Sequence, residues 1–167
     1  MNIIIRPEIP EDRQAVEEIL LSTFRTDAES KVVNAIRENG NAVISLVAVS
    51  GENVVGHILF SPVTTHPPTS EKGLGLAPVA VDPAFQSQGI GSKLIRAGLQ
   101  MCRDLQFDYA VVLGGPKYYM RFGFEKASGF GLQNEYGVDA EFMILKFKSI
   151  PEGALVKYTD EFALFSV

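Results

Sequence analysis

The chain has one cysteine, two histidines and no tryptophan in 167 residues. Cys102 standing alone excludes a disulfide within the chain and a cysteine-rich zinc site. His57 and His66 have no partners at metal-ligand spacing, so no metal is expected. No apolar run approaches the roughly 20 residues that a membrane span needs, so no membrane role is expected. The start, Met1-Asn2-Ile3-Ile4-Ile5-Arg6-Pro7, lacks a basic stretch, a long apolar segment and a small-residue cleavage site. No signal peptide is expected there, and a cytoplasmic location is the default. Positive charge is also scarce: 15 Lys and Arg face 20 Asp and Glu, for a net charge of -5. That balance speaks against a nucleic-acid binder and suits a neutral or cationic small substrate better than an anionic one.

What is present is ordinary globular material, 46% hydrophobic and 21% charged. The length predicts a single domain over residues 1–167 with enough interior for a full core. Ile3–Arg6 reads as a strand stopped by Pro7. Pro10, Glu11 and Asp12 suit the first turn of a helix, whose buried face is Val16, Ile19, Leu20 and Phe24. Thr26-Asp27-Ala28-Glu29 reads as a capping box. It opens a second helix carrying Val32, Val33 and Ile36, ended by Gly40. Ala42–Val49 is a β-branched and aliphatic run that suits a buried strand. Ser50-Gly51-Glu52-Asn53 is a turn, and Val54–Thr65 is the antiparallel return, broken at Gly56 and Pro62.

An exposed loop over Thr65–Gly73 precedes a strand at Leu74–Val81. A helix over Gly89–Leu105 then places Leu94, Ile95, Gly98, Leu99 and Cys102 on one side. Further strands are expected at Tyr109–Leu113, Phe124–Lys126 and Ala140–Phe147, with one or two helical turns at Lys117–Phe122. Ile150–Val167 is an extra strand or a coil packed on the sheet. The apolar Phe162-Ala163-Leu164-Phe165 within it covers a core edge or forms a dimer contact, the core edge being preferred. The order β-α-α-β-β-β-α-β-α-β-β gives a mixed α/β (α+β) fold with a mostly antiparallel sheet flanked by helices.

The segment with chemistry in it runs from Ala77 to Leu94. A strand leads through Gln86-Ser87-Gln88-Gly89-Ile90-Gly91 into an amphipathic helix. Such a loop gathers backbone N–H groups at the positive end of a helix dipole, a site for phosphate or pyrophosphate. A dinucleotide fingerprint is excluded because Leu94 stands where the third glycine belongs. A P-loop is excluded because Gly91-Ser92-Lys93 has the wrong order. By composition alone, a glycine-relaxed loop with no ligand is an equal reading.

Gln86-Ser87-Gln88-Gly89-Ile90-Gly91 resembles the Gln/Arg-x-x-Gly-x-Gly/Ala motif of the GCN5-related N-acetyltransferases. Tyr119-Met120-Arg121-Phe122-Gly123-Phe124 is similar to that family's Tyr-x-x-x-Gly-Phe segment. Ile5-Arg6-Pro7 with its acidic helix start, and Val54-Val55-Gly56-His57-Ile58, are also typical. Gly114-Gly115-Pro116-Lys117-Tyr118-Tyr119 is especially similar to the YhbS-like group. The resemblance spans about residues 3–147 and leaves 148–167 as an extension packed on the same domain.

The resemblance implies a sheet with two splayed parallel strands, here Leu74–Val81 and Tyr109–Leu113, between which acetyl-CoA binds as co-substrate. Val79, Ala80 and Val81 would pair with the pantetheine arm like an added strand. Backbone N–H groups of Gln88, Gly89, Ile90, Gly91 and Ser92 would hold the pyrophosphate, with Gln86 nearby and Ser87 also in the cofactor-binding loop. An amine, on a small molecule or a protein, would attack the acetyl carbonyl directly. Tyr119 matches the tyrosine that protonates the leaving thiolate, with Tyr118 as fallback; packing among Phe122 and Phe124 is its other reading. The general base is not identified. Glu29 and His57 are weak candidates, the capping box and a half-buried strand position being their plainer roles. Asp82 ends its strand, and Cys102 is core. Many family members carry an Asn after the second splayed strand, where this chain has Leu113-Gly114-Gly115-Pro116. The alternative to an enzyme is a non-catalytic acyl-CoA sensor of the same fold. Monomer and homodimer both stay open.

Overall fold

The computed structural model describes residues 2–166, with side chains through residue 164. The chain opens with β1 (Ile3–Pro7), a 3-10 turn at Pro10–Asp12, α1 (Arg13–Thr23) and α2 (Ala28–Glu38). The sheet strands β2 (Ile44–Ser50), β3 (Asn53–His66) and β4 (Gly73–Val81) follow, then α3 (Ile90–Asp104), β5 (Tyr109–Leu113) and α4 (Pro116–Met120). Short strands β6 (Glu125–Lys126) and β7 (Gln133–Asn134), then β8 (Phe142–Lys146), β9 (Leu155–Lys157) and a 3-10 segment at Asp160–Ser166 complete it. The expected element order is therefore present, with β7 added and the extra strand offered for the tail found as β9.

Two units divide the chain, and β3, β4 and α3 run through both. The first holds the residues up to Phe60, Ala77–Gly98 and the chain from Asp160 on. Its ladder is antiparallel, from Ile3 opposite Ser50 to Ile44 opposite Phe60. Val16 and Leu20 of α1, Val32, Val33 and Ile36 of α2, Leu94 and Ile95 of α3, and Val47 and Ile58 of the sheet are buried. Each such side chain contributes about 1.5–3 kcal/mol when taken from water. The helical spacing that marked these residues in the sequence is thus a packing face.

The second unit holds Ser61–Leu76 and Leu99–Thr159. There β8 is antiparallel to β5 and to β6. The start of β4 is parallel to β5, and β9 lies antiparallel to the end of β3 and parallel to β7. Its core is Leu74, Leu76, Leu99, Cys102, Tyr109, Val111, Phe124, Ile144 and Val156.

Two local expectations are corrected. The capping box at Thr26–Glu29 does not form. The helix starts at Ala28 with Asp27 as its cap residue, so Glu29 falls one position too early to reach back. Thr26 Oγ1 instead accepts the Ala28 N–H at 3.2 Å. Strand β3 is continuous rather than broken at Gly56 and Pro62. Near Gly56 the ladder absorbs one extra residue, since Ala48 faces Gly56 while Val49 faces Val54. Pro62 is tolerated because β2 pairs only as far as Phe60 and β9 begins at Thr64. Its missing N–H falls in that gap.

The tail supplies both structures expected of it, a strand and a packed coil. Phe162 is buried, and the Glu161 carboxylate accepts Asn39 Nδ2 at 3.1 Å and Asn41 Nδ2 at 2.8 Å. Leu164 is exposed, and the Phe165 side chain lies outside the described residues. No helix among the described residues is long and apolar enough to cross a membrane.

Candidate functional site

In the first unit, β4 ends at Val81 and turns into α3 through the loop singled out in the sequence. Asp82 fixes the turn: its Oδ1 accepts the Ala84 N–H at 2.9 Å, and its own N–H donates to Val55 O at 2.8 Å. Gln86 Nε2 donates to Val81 O at 3.0 Å, and Thr23 Oγ1 reaches the same carbonyl at 3.3 Å. The Gln86 side chain therefore braces the loop against the strand end. Ser87 (φ 64°) and Gly89 (φ 82°) take the left-handed conformation. That geometry turns successive N–H groups to one side, as in an anion-binding nest. Residues 86–89 are exposed, and Ile90, Gly91 and Ser92 form the first turn of α3, whose N–H groups have no acceptors within the helix. Val79 and Val81 are half-buried and Ala80 is buried on β4.

In the second unit, β4 and β5 begin as a parallel pair and then stop pairing. The register runs Gly73–Tyr109, Leu74–Ala110 and Gly75–Val111 and goes no further among the described residues. A parallel pair that opens this way leaves strand-edge N–H and C=O groups able to bind an extended ligand.

Tyr119 stands on α4, buried, with its ring against Gly114 just after β5. A Cβ on Gly114 would lie 2.3 Å from Tyr119 Cε2. A side chain at 114 therefore has no room beside Tyr119. The ring is edge-on to Tyr118 (5.2 Å between centroids) and Phe124 (5.7 Å), so the aromatic cluster expected around it is formed. Burial, with a smaller contribution from Tyr118, pushes its phenol up to about 12. Tyr118 is half-buried and carries the Arg121 guanidinium over its ring at 5.2 Å.

The two base candidates differ sharply. His57 is fully buried in the first unit, not half-buried as its position on a strand suggested. Its Nε2 lies 2.9 Å from Ser45 Oγ, and that hydroxyl donates to Glu8 Oε1 at 3.0 Å. Ser45 has spent its proton, so His57 must donate from Nε2 and keep its lone pair on Nδ1. Nδ1 has no hydrogen-bond partner. Burial and the nearby Arg37 charge push the imidazole down to about 3. Arg37 also pairs with Glu8, which completes a closed cluster. Glu29 is half-buried near the start of α2, and its Oε1 is shielded from solvent without a hydrogen-bond partner. Cys102 is buried and its thiol is pushed up to about 12 by that burial, which leaves it unreactive.

The sequence reading passed over Tyr158, the Glu8–Arg37 pair and Asn134. Asn134 holds its own loop by accepting the Tyr136 N–H at 2.9 Å. One signal was available. Gly73-Leu74-Gly75 puts two glycines on the same face of one strand, a mark of something lying close over it.

Comparison with known proteins gives these halves a common context. The model of the acetyltransferase (GNAT) family matches residues 13–124. The uncharacterized N-acetyltransferase YhbS of Escherichia coli is 35% identical over 144 residues, covering 85% of this chain and 86% of that protein. The crystal structure of Escherichia coli YhbS in complex with CoA superposes with a TM-score of 0.91 at 32% identity, over 97% of this chain and 92% of that one. A GNAT-family acetyltransferase of Brucella melitensis in complex with acetyl-CoA gives a TM-score of 0.82 at 35% identity, over 96% and 98%. With the motif loop, the opening parallel pair and these relatives together, the chain belongs to the acetyltransferase (GNAT) family.

Proposed function

We propose that the protein transfers the acetyl group of acetyl-CoA to a primary amine by direct attack, without a covalent enzyme intermediate. The observation that carries this reading is the exposed loop before α3, with Ser87 and Gly89 in left-handed conformation and braced by Gln86. The N–H groups of residues 87–92 suit a pyrophosphate, and the β4 edge at Val79–Val81 suits the pantetheine arm. Relatives crystallised with CoA and acetyl-CoA support the same cofactor here. The sensor alternative finds no support in the relatives, which are named N-acetyltransferases.

In the reaction, the amine nitrogen bonds to the acetyl carbon, the C–S bond breaks, and the ammonium proton passes to a base. Glu29 suits that role better than His57, because it has an unpartnered oxygen and no capping duty. Tyr119 serves as the acid toward the departing sulfur. Its phenol, raised to about 12, stays protonated at every working pH. A thiol ionises near 8.5, so complete transfer from the phenol is uphill and the hydrogen bond itself does most of the stabilising.

Calorimetric titration with acetyl-CoA tests the reading. Wild type should bind, and a Gly89→Val/Gly91→Val variant should not, since a β-branched residue is strained at the Gly89 backbone angle. An amine panel read by thiol release then identifies the acceptor, and Tyr119→Phe should slow turnover by about 100-fold with binding intact. A folded wild type that binds no acetyl-CoA removes the proposal.

A further inference from the structure

The peptide group between Val81 and Asp82 closes β4. Its N–H donates to Val55 O of β3 at 2.8 Å. The bond is trans, so the Val81 carbonyl points the opposite way, off the strand edge that faces away from β3. Beyond Gly75 no residue of β5 pairs along that edge among the described residues. A carbonyl in this position would be open to a ligand, but this one is occupied. Gln86 Nε2 donates to it at 3.0 Å from the loop, and Thr23 Oγ1 donates to it at 3.3 Å from the last turn of α1. Two donors fill both lone pairs of a carbonyl. Thr23 reaches across 58 positions of the chain to do this. Its neighbour Ser22 takes the ordinary course and donates to Ile19 O of its own helix at 3.0 Å.

We infer that Thr23 is a positioning residue for the extended arm of acetyl-CoA. The inference rests on the reading of the β4 edge at Val79–Val81 as the arm's partner. An arm lying along that edge strips water from the groups beneath it. The Val81 carbonyl would then be a desolvated acceptor, a cost that its two side-chain donors remove. The same donors close that acceptor to the arm. Alternation along the strand turns the Val79 N–H and C=O and the Val81 N–H to the same edge, and these are the groups left for pairing. Thr23 and Gln86 thus set where the arm's pairing on β4 ends. Gln86 is exposed and Thr23 half-buried, so the threonine bond is the better shielded of the two.

The test needs no acceptor amine. Calorimetry compares two probes: acetyl-CoA, and 3′-phospho-ADP, which carries the pyrophosphate but no arm. Thr23→Val keeps the shape and removes the hydroxyl. It should weaken acetyl-CoA binding by about threefold to tenfold, the range of one neutral hydrogen bond, and leave 3′-phospho-ADP binding unchanged. Thr23→Ser keeps the donor and should restore acetyl-CoA affinity. Thermal melting checks the folding of each variant, and wild type offers a readout that needs no variant. With isotope-labelled valine carbonyls, acetyl-CoA should shift the Val79 resonance more than the Val81 resonance. A Thr23→Val variant that binds acetyl-CoA as wild type does overturns the inference. An equal loss for both probes overturns it too, since that marks a merely structural role. The same holds for a Thr23→Ser variant as weak as Thr23→Val, and for a Val81 shift as large as that of Val79. A wild type that binds acetyl-CoA no tighter than 3′-phospho-ADP removes the arm from β4 and the inference with it. A folded wild type that binds neither probe overturns the proposed function itself.

Discussion

Each unit buries a polar cluster, and the two do it by opposite means. In the first, Glu8, Arg37, Ser45 and His57 are packed away as charge against charge, with Ser45 linking carboxylate and imidazole. In the second, Tyr109, Tyr119 and Tyr158 are packed away as neutral phenols over glycines. A buried ion pair holds only while both partners keep their charge. A buried phenol takes on no charge until strongly alkaline pH. The first arrangement suits a lock that holds β1, α2, β2 and β3 together. The second suits a proton donor, because nothing in the physiological range disturbs it.

Removing the charge from the charged cluster should give the largest effect. Arg37→Ala leaves the buried Glu8 carboxylate without its partner and should cost about 3–5 kcal/mol in urea unfolding. Replacing both, as Glu8→Leu/Arg37→Met, should cost much less, since no uncompensated charge is left. If the single variant costs no more than the double, the pair is not the lock described.

Acid should separate the clusters next. The His57 imidazole is held at about 3 in the fold, against an ordinary value near 6.5. The unfolded chain therefore takes up the proton first. The stability tied to neutral His57 is complete above pH 6.5 and falls as pH drops toward 3, by roughly 1 kcal/mol per pH unit. Melting from pH 7 to 4.5 should show that slope, and His57→Asn should flatten it. Tyrosine variants of the second unit should leave it unchanged.

The third contrast lies in two adjacent glycines. Gly114→Ala drives a Cβ into the Tyr119 ring at 2.3 Å and should destabilise by about 1–3 kcal/mol. Gly115 has open space and φ -62°. Gly115→Ala should stay within about 0.5 kcal/mol of wild type. Chemical denaturation of the two variants side by side decides it.

The two clusters were not equally legible in the sequence. The helices announced themselves through Val16, Ile19, Leu20 and Val32, Val33, Ile36, because a buried helical face repeats along the chain. The loop was legible because its chemistry is carried by backbone, and glycine spacing records what the backbone must do. Tyr119 was found only by resemblance. Tyr158 was missed because what gives it meaning is Gly75, 83 positions away in the chain, and no local pattern records a ring lying on a distant strand. His57 was misjudged for the same reason. Its burial depends on Glu8, Ser45 and Arg37, which lie after β1, on β2 and on α2. The misread capping box had the opposite cause: the local motif was there, but the helix began one residue further on than Thr26 requires.

The smallest expected effect has the opposite sign. Tyr109 is fully buried, its hydroxyl has no hydrogen-bond partner, and burial, with Glu71 and Asp108 adding to it, pushes the phenol up to about 12. Its ring fills the space over Gly73, which phenylalanine fills equally well. Tyr109→Phe therefore removes a desolvated hydroxyl and leaves the packing, so stability should hold or rise by up to about 1 kcal/mol. Acetyl-CoA affinity should not move, because Tyr109 sits at the closed end of the β4–β5 pair and not where it opens. If Tyr119 were a packing group alone, Tyr119→Phe would behave as this variant does. Tyr109→Phe is thus the reference against which a working hydroxyl in the second unit shows itself.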